Sequence, residues 1–413
     1  MDMSSDSAPV RAAAPARVAF SGTADAFFNL LFRGALLQLP TLGLSRFWLA
    51  NAMRRHLWSQ TALEGEALVY AGRARDLFLG FVFYSGIAAA AAAAYFHFVV
   101  KAGRQEPFLP VLLAVFLYLL AQFAAWRVRC HALRHTVWRG ARFSATGSGL
   151  AYALGAFILT LLSVATLGLA LPWRAAALER YRMRHTAYGE IKGGSEATAW
   201  NLFKKGFWLW LVLAAVAAAL VLPPAWPVLS AIQWGKPPPS DLAKNLAAAL
   251  AAALPSRAPG IAAIVLLAGP FLLAWYKAFE TRWRISGRRL GSVAFASDVR
   301  MRDFLKVYLA YFLSIVMLVV DFGLIGAVLK FTLLPALDLP TFDLRGLAAG
   351  TGPPPVQVAA VGLFAAVVLL AFGIVNLFFF KRGIWRAIAA SVTVRGLAAP
   401  AVPVPGDGLG GSP

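Results

Sequence analysis

One cysteine, Cys130, and only 18 aspartates and glutamates occur in the 413 residues. A lone thiol excludes an internal disulfide and any multi-cysteine metal or iron–sulfur site. No paired catalytic carboxylates, no phosphate-binding Gly-Lys loop, no GxGxxG after a strand and no GxSxG elbow are present. The sequence therefore calls for no cofactor and gives no sign of an enzyme, short of an unusual intramembrane site. The first 19 residues, rich in Ala, Pro and Ser, hold no apolar run that would serve as a signal peptide. With the Pro/Gly-rich residues 399–413, they read as disordered tails.

What is abundant is apolar and basic. Hydrophobic residues make up 60% and charged residues 14%, with a mean hydropathy of +0.68. Several apolar runs of twenty or more residues point to a multi-pass helical membrane protein. The 39 Lys and Arg leave a formal charge of +21. In a soluble protein that excess would suggest nucleic acid; beside long apolar runs it reads as basic loops held on the cytoplasmic side, and no nucleic-acid partner is expected.

The chain is organised around the stretch from Thr41 to Gly72. It holds TLGL, Trp48, a basic helix with Arg54, Arg55 and His56, and a Gly-bounded strand-like piece. A second copy begins at Thr166. At an offset of 125, nine of the 21 positions from Thr41 to Thr61 are identical, including the TLGL, Trp48 with Trp173, Arg55 with Arg180 and Thr61 with Thr186. Such a match indicates an internal duplication. Weaker echoes, each an aromatic, a basic helix and a glycine, run from Trp126 to Gly140, Trp275 to Gly291 and Trp385 to Gly396.

Full spans are expected at 77–100, 110–126, 207–232, 261–279, 304–334 and 356–380. An Ala/Leu-rich helix lying on the far face is expected within 233–259. The segment 24–44 carries Asp25, Arg33 and Pro40, and a charge at mid-depth costs about 2.5–3.5 kcal/mol on insertion scales. It and its counterpart 149–171 are therefore read as broken or re-entrant. With that arrangement thirty Lys/Arg fall in the cytoplasmic segments, six in the outward loops and three within apolar segments. The count puts both termini in the cytoplasm. The expected fold is thus an all-α polytopic bundle of six spans plus two re-entrant TLGL segments, with short strand-like turns. Its parts are 20–148 as a first repeat, 149–303 as a second and 304–398 as a C-terminal helix pair.

FSG near Phe20, the TLGL, a following Trp, the RR or ERYR helix, and a Thr before a glycine turn together resemble the YjgN-like family of bacterial inner-membrane proteins of uncharacterised function. The likeness covers about residues 20 to 395. The second copy keeps Pro172 and Trp173, whereas the first has Phe47 in place of the proline. The resemblance implies an inner-membrane location and this architecture, and brings no catalytic or binding residues with it.

A few residues carry chemistry. Asp321, inside VMLVVDFGLIG, is an ionisable group at depth, which must pair or reach water; His97 is a candidate partner from another helix. Arg54, Arg55, Arg180, Arg182, Arg184, Arg282 and Arg284, interleaved with aromatics, suit anionic lipid headgroups at about 1 kcal/mol each. His131 and His135 share a helix face at i, i+4. With Ala132 where a zinc protease needs Glu, and no acid nearby in sequence, they read as interfacial. Two functions fit. One is a transporter or lipid-handling protein with a site between the repeats. The other is a non-transporting scaffold whose basic layer binds anionic lipid or a protein partner.

Overall fold

The computed structural model describes residues 15–101, 108–230, 232, 241–333 and 355–396. Its helices are α1 (Ala24–Leu36), α2 (Arg46–Ser59), α3 (Ala74–Phe96), α4 (Leu109–Arg134), α5 (Gly149–Ala165), α6 (Leu171–Arg184), α7 (Ala199–Ser230), α8 (Leu242–Ser286), α9 (Met301–Val328), α10 (Pro355–Val375) and α11 (Gly383–Ser391). A π-helical segment, Asn376–Arg382, joins α10 to α11. Among the described residues, five helices are long and apolar enough to cross a membrane: Ala74–Val99, Leu109–Arg134, Ala199–Ser230, Met301–Val328 and Val358–Ser391. Almost none of the residues in their apolar windows is buried within the chain. Apolar surface on that scale needs an apolar surrounding.

The strand-like turns prove to be one sheet. Its strands are β1 (Ala16–Phe20), β2 (Thr61–Leu63), β3 (Glu66–Ala67), β4 (Val69–Tyr70), β5 (Thr136–Trp138), β6 (Ala141–Ala145), β7 (Thr186–Tyr188), β8 (Ile191–Ser195), β9 (Arg288–Leu290), β10 (Val293–Ser297) and β11 (Val392–Arg395). The spatial order runs β3-β2-β1-β11-β10-β9-β8-β7-β6-β5-β4, with every pair antiparallel. The two ends of that order, β3 and β4, are neighbours in sequence, separated by Leu68 alone, whose amide donates to the Thr61 carbonyl at 3.0 Å. The sheet therefore closes into a ring of five hairpins, one of which is built from β1 and β11. Residues 16–19, placed by composition in the disordered tail, belong to this ring. Ala16 and Arg17 pair with β11, more than 370 residues away, and Val18 and Ala19 with β2, all beyond the reach of a local reading. Residues 1–14 and 397–413 lie outside the described residues.

Each hairpin is tied to the next in the same way. The amide just beyond the outgoing strand donates to the last carbonyl of the next incoming helix. These bonds are Ser21 to Gln60 (3.0 Å), Ala71 to His135 (2.8 Å), Thr146 to His185 (2.9 Å), Glu196 to Gly287 (2.7 Å) and Asp298 to Ser391 (3.1 Å). Thr61, Thr136 and Thr186 open three hairpins because the hydroxyl donates back to the carbonyl four residues earlier, closing the preceding helix (2.7, 2.8 and 2.8 Å). The indole of Trp385 donates to Thr61 Oγ1 (3.0 Å) and that of Trp58 to Thr136 Oγ1 (3.1 Å), with the two indoles stacked at 4.6 Å.

Five helical excursions rise from the ring: α1/α2, α3/α4, α5/α6, α7/α8 and α9 with α10–α11. Each packs against its sequence neighbours, and α1 against α10 completes the circle. Buried clusters fill the bases, such as Phe27, Leu31, Leu49, Met53 and Leu57 beside Trp385. Helix α8 continues without a break through Pro255, Pro259 and Pro270, so the described part of the expected far-face helix is continuous with the returning one. Prolines are tolerated where neighbouring helices and local adjustment satisfy the freed backbone groups. The rest of that segment, 233–240, lies outside the described residues.

The two TLGL motifs are turns of short helical hairpins. In both, the threonine hydroxyl donates to the carbonyl four residues back, from Thr41 to Leu37 (2.6 Å) and from Thr166 to Leu162 (2.8 Å). It also accepts from the amide four residues on, Ser45 (3.2 Å) and Ala170 (3.1 Å), so one side chain caps both helices. Leu42 and Gly43 then take left-handed φ of 49° and 82°, and Leu167 and Gly168 φ of 49° and 90°. The 13 residues of α1 and 17 of α5 rise about 20 and 25 Å at 1.5 Å per residue, short of a hydrocarbon core of about 30 Å. Both hairpins leave the ring and return to it.

Gly43 has no heavy atom within 4 Å of an added Cβ, so its requirement is purely conformational. Gly43→Ala is expected to destabilise the protein by about 1 kcal/mol and Gly43→Asn by less, read as the thermal unfolding midpoint in detergent.

Candidate functional site

The candidate site lies where a short hairpin stands between two long helices. A cavity of about 450 Å³ is lined by the end of α1, by α2, by Phe81 of α3, and by α10 with its π-helical extension. Because α1/α2 is short, α3 and α10 flank a gap beyond its tip. The walls are mainly apolar, with Leu49, Met53, Phe81, Leu369, Ile374 and Leu377 among them. Among the described residues the polar groups are Gln38, Arg46 and Lys381, and none of those lining the cavity is an acid. Arg46 lies over the rings of Phe47 and Phe81, 4.8 and 4.5 Å from their centroids. Among the described residues neither the Arg46 nor the Lys381 side chain has a carboxylate or hydrogen-bond partner. Along α10 the lining runs from Lys381 away from the ring to Leu369, a rise of about 18 Å. The shape suits a molecule with an anionic end and an extended apolar body.

Sequence reasoning named neither Arg46 nor Lys381 for this role. The signal was there: Arg46 directly follows the TLGL turn, and Lys381 ends the most apolar span.

The arginines chosen from the sequence divide into two groups. Arg54 donates to the Tyr70 hydroxyl (3.4 Å) and Arg55 to the Gly72 carbonyl (3.1 Å). Arg182 bonds the Tyr152 hydroxyl at 3.1 Å, and Arg284 pairs with Glu280. Arg180, Arg184 and Arg282 are exposed and have no ion-pair partner among the described residues. Arg282, with Lys204 and Lys205, lines a second, polar depression of about 530 Å³ that holds one acid, Glu196. Asp321 and His97 are both exposed, on helices that do not pack side by side. The structure does not bring them together. His131 and His135, by contrast, are joined by an acid from another helix, Asp76.

A buried charge cluster beside the ring was also missed. Glu179 is 1% exposed; its Oε1 accepts a hydrogen bond from Arg288 Nε at 2.8 Å and lies 2.7 Å from Arg288 Nη2 in an ion pair, while Arg182 faces Oε2 at 3.6 Å. Arg288 stands where three other hairpins begin with Thr, so this unit replaces a hydroxyl contact by an ion pair. Burial pushes the Glu179 carboxyl up, but Arg288, aided by Arg284 and Arg182, outweighs burial and holds it below the usual glutamate range. The clue in the sequence was a lone acid in the ERYR helix.

Residues 15–399 match the family described as "Bacterial protein of unknown function (DUF898)". The chain belongs to this family. That agrees with the resemblance to uncharacterised YjgN-like bacterial proteins. No curated protein and no solved structure matches the chain. This DUF898 protein is thus a mostly helical member of a bacterial family of unknown function, with several helices apolar enough for a membrane.

Neutralising the buried Glu179 leaves the half-buried Arg288 without its counter-charge. Glu179→Gln is expected to cost about 3 kcal/mol, read by thermal unfolding in detergent. The wild-type contribution is present in full above the unfolded carboxyl value of about 4.3. It is lost as the pH falls through the lowered folded value, so the gap between wild type and Glu179→Gln should close on acidification.

Proposed function

We propose that this protein is a multi-pass protein of the bacterial inner membrane that holds an anionic lipid in the gap beside the first TLGL hairpin. The observation that carries this reading is the apolar cavity with two cations, Arg46 and Lys381, that among the described residues have no carboxylate partner and no acid beside them. A phosphate-bearing headgroup would meet the cations, each contributing roughly 1 kcal/mol. An acyl chain would follow Leu370, Gly373 and Ile374 away from the ring. The arrangement in the membrane has six full spans, two re-entrant TLGL hairpins and both termini in the cytoplasm. The thirty-to-six division of Lys and Arg supports it, as does the return of both short hairpins to the ring. In this reading the protein is built from internal repeats, with units at 20–148, 149–303 and 304–398, and the β ring lies on the cytoplasmic face. Lipid handling is preferred to transport of a polar solute, since Asp321 and His97 do not meet.

A second reading, a scaffold whose basic face binds lipid or a protein partner, is favoured by the exposed Arg180, Arg184 and Arg282. The two readings make different predictions for native mass spectrometry of the detergent-solubilised protein. If the cavity holds lipid, Arg46→Gln/Lys381→Gln should retain about ten-fold less phosphatidylglycerol or cardiolipin than wild type. Gly373→Leu, where nothing lies within 4 Å to obstruct the side chain, should do the same by filling the space. Retention lost only in an Arg180→Gln/Arg184→Gln/Arg282→Gln variant would reject the cavity and support the scaffold.

A further inference from the structure

We infer that Asp76, His131 and His135 form a binding site for one divalent transition-metal ion of the zinc class, at the point where α3 leaves the ring and α4 returns to it. The three side chains each offer a ligand atom, and these atoms lie within 4.8 Å of one another. Ligands at 2.0–2.2 Å around a tetrahedral zinc are about 3.4 Å apart, so small side-chain rotations close the set.

The details of the site favour a ligand over simple packing. His135 Nδ1 lies 2.8 Å from the His131 carbonyl oxygen. With the proton on Nδ1 donated to that carbonyl, the lone pair is on Nε2, and this is the second bond that metal-binding histidines commonly make. His131 Nε2 is buried without a hydrogen-bond partner. Asp76, in a chain with 39 Lys and Arg, makes no ion pair among the described residues.

The next hairpin supplies an internal control. There Tyr181 and His185 hold the places of His131 and His135, each four residues apart and directly before the opening Thr. The ring pairs match in geometry: centroids 4.2 Å apart in both, at 36° and 38°. His185 Nδ1 makes the same 2.8 Å contact with the carbonyl four residues back. The Tyr181 hydroxyl, however, donates to the Ser148 carbonyl at 2.8 Å. The helix opposite has Ala151 three residues past its N-cap, where α3 has Asp76. Packing alone is thus met by Tyr, His and Ala. The other hairpin departs from that set at two positions, and both changes add a metal-ligand atom facing the same point. Two neutral imidazoles and one carboxylate leave at least one coordination position open to water or substrate, as in sites with three protein ligands. The mixed nitrogen and oxygen set favours zinc-class ions over magnesium or calcium.

The test uses tag-free, full-length protein in detergent, stripped with chelator and titrated with Zn²⁺ alone, with Mg²⁺ as contrast. Expected is one Zn²⁺ per chain by calorimetry and elemental analysis, no Mg²⁺ uptake, and a visible absorption band of tetrahedral type with Co²⁺. Asp76→Asn and His135→Ala should each weaken Zn²⁺ at least ten-fold, and His185→Ala should leave it unchanged. His131→Tyr installs the residue that already fits the equivalent slot, so its metal-free unfolding midpoint should hold while Zn²⁺ binding is lost. Absence of stoichiometric Zn²⁺ in wild type, or undiminished Zn²⁺ affinity in a correctly folded His131→Tyr protein, would overturn the assignment.

Discussion

The structure depends on backbone pairing that has no free end. Strands of two to five residues are too short to persist alone, and an isolated hairpin is marginal in water. Here most strands share their few residues between two neighbours: Phe143, Ser144 and Ala145 pair with β7, whereas Ala141 and Arg142 pair with β5. Closure removes the exposed edges that such strands would otherwise present. The five amide-to-carbonyl bonds between successive hairpins then fix where each helical excursion leaves the ring and returns to it. The helices contribute little mutual burial, so their arrangement is set chiefly at their bases.

Around that base the chain varies chemistry without varying geometry. The position opening a hairpin is Thr61, Thr136 or Thr186, capping the helix before it, and in one unit Arg288 instead. The Arg288 unit has Glu179 opposite, where Arg129 reaches Thr186 at 3.4 Å in the unit before. Partners change together, because a buried charge without its counterpart costs several kcal/mol. A scaffold that accepts such exchanges can carry an apolar gap with two cations at one place and a cluster of histidines at another.

Much of this was legible in the sequence, and the limits are physical. The TLGL match is readable because one threonine side chain and a left-handed Leu-Gly pair must recur for the same turn to form. The long helices are readable because a run of that length and apolarity cannot sit stably against water. The ring was visible only as separate echoes of an aromatic, a basic helix and a glycine. Its strands are too short to show alternation, and β1 finds a partner at the other end of the chain. The cavity was hidden because Leu369 and Phe81 look like any lipid-facing residues until α1/α2 is known to be short. Asp76 escaped notice for a similar reason: it stands 55 positions before His131, on a different helix.

The hairpin made of β1 and β11 has a consequence for biogenesis. Four of the five hairpins join strands separated by short turns and can form as soon as the ribosome has released them. The remaining one unites the first and last described strands, so β1 has no β11 to lie against until more than 370 further residues have been made. During that interval the ring is an open arc with two unsatisfied borders, and the helices must find their places while their platform is incomplete. A nascent chain of this design is therefore most exposed to misassembly or proteolysis before β11 has been made, and β11 acts as the latch of the whole assembly.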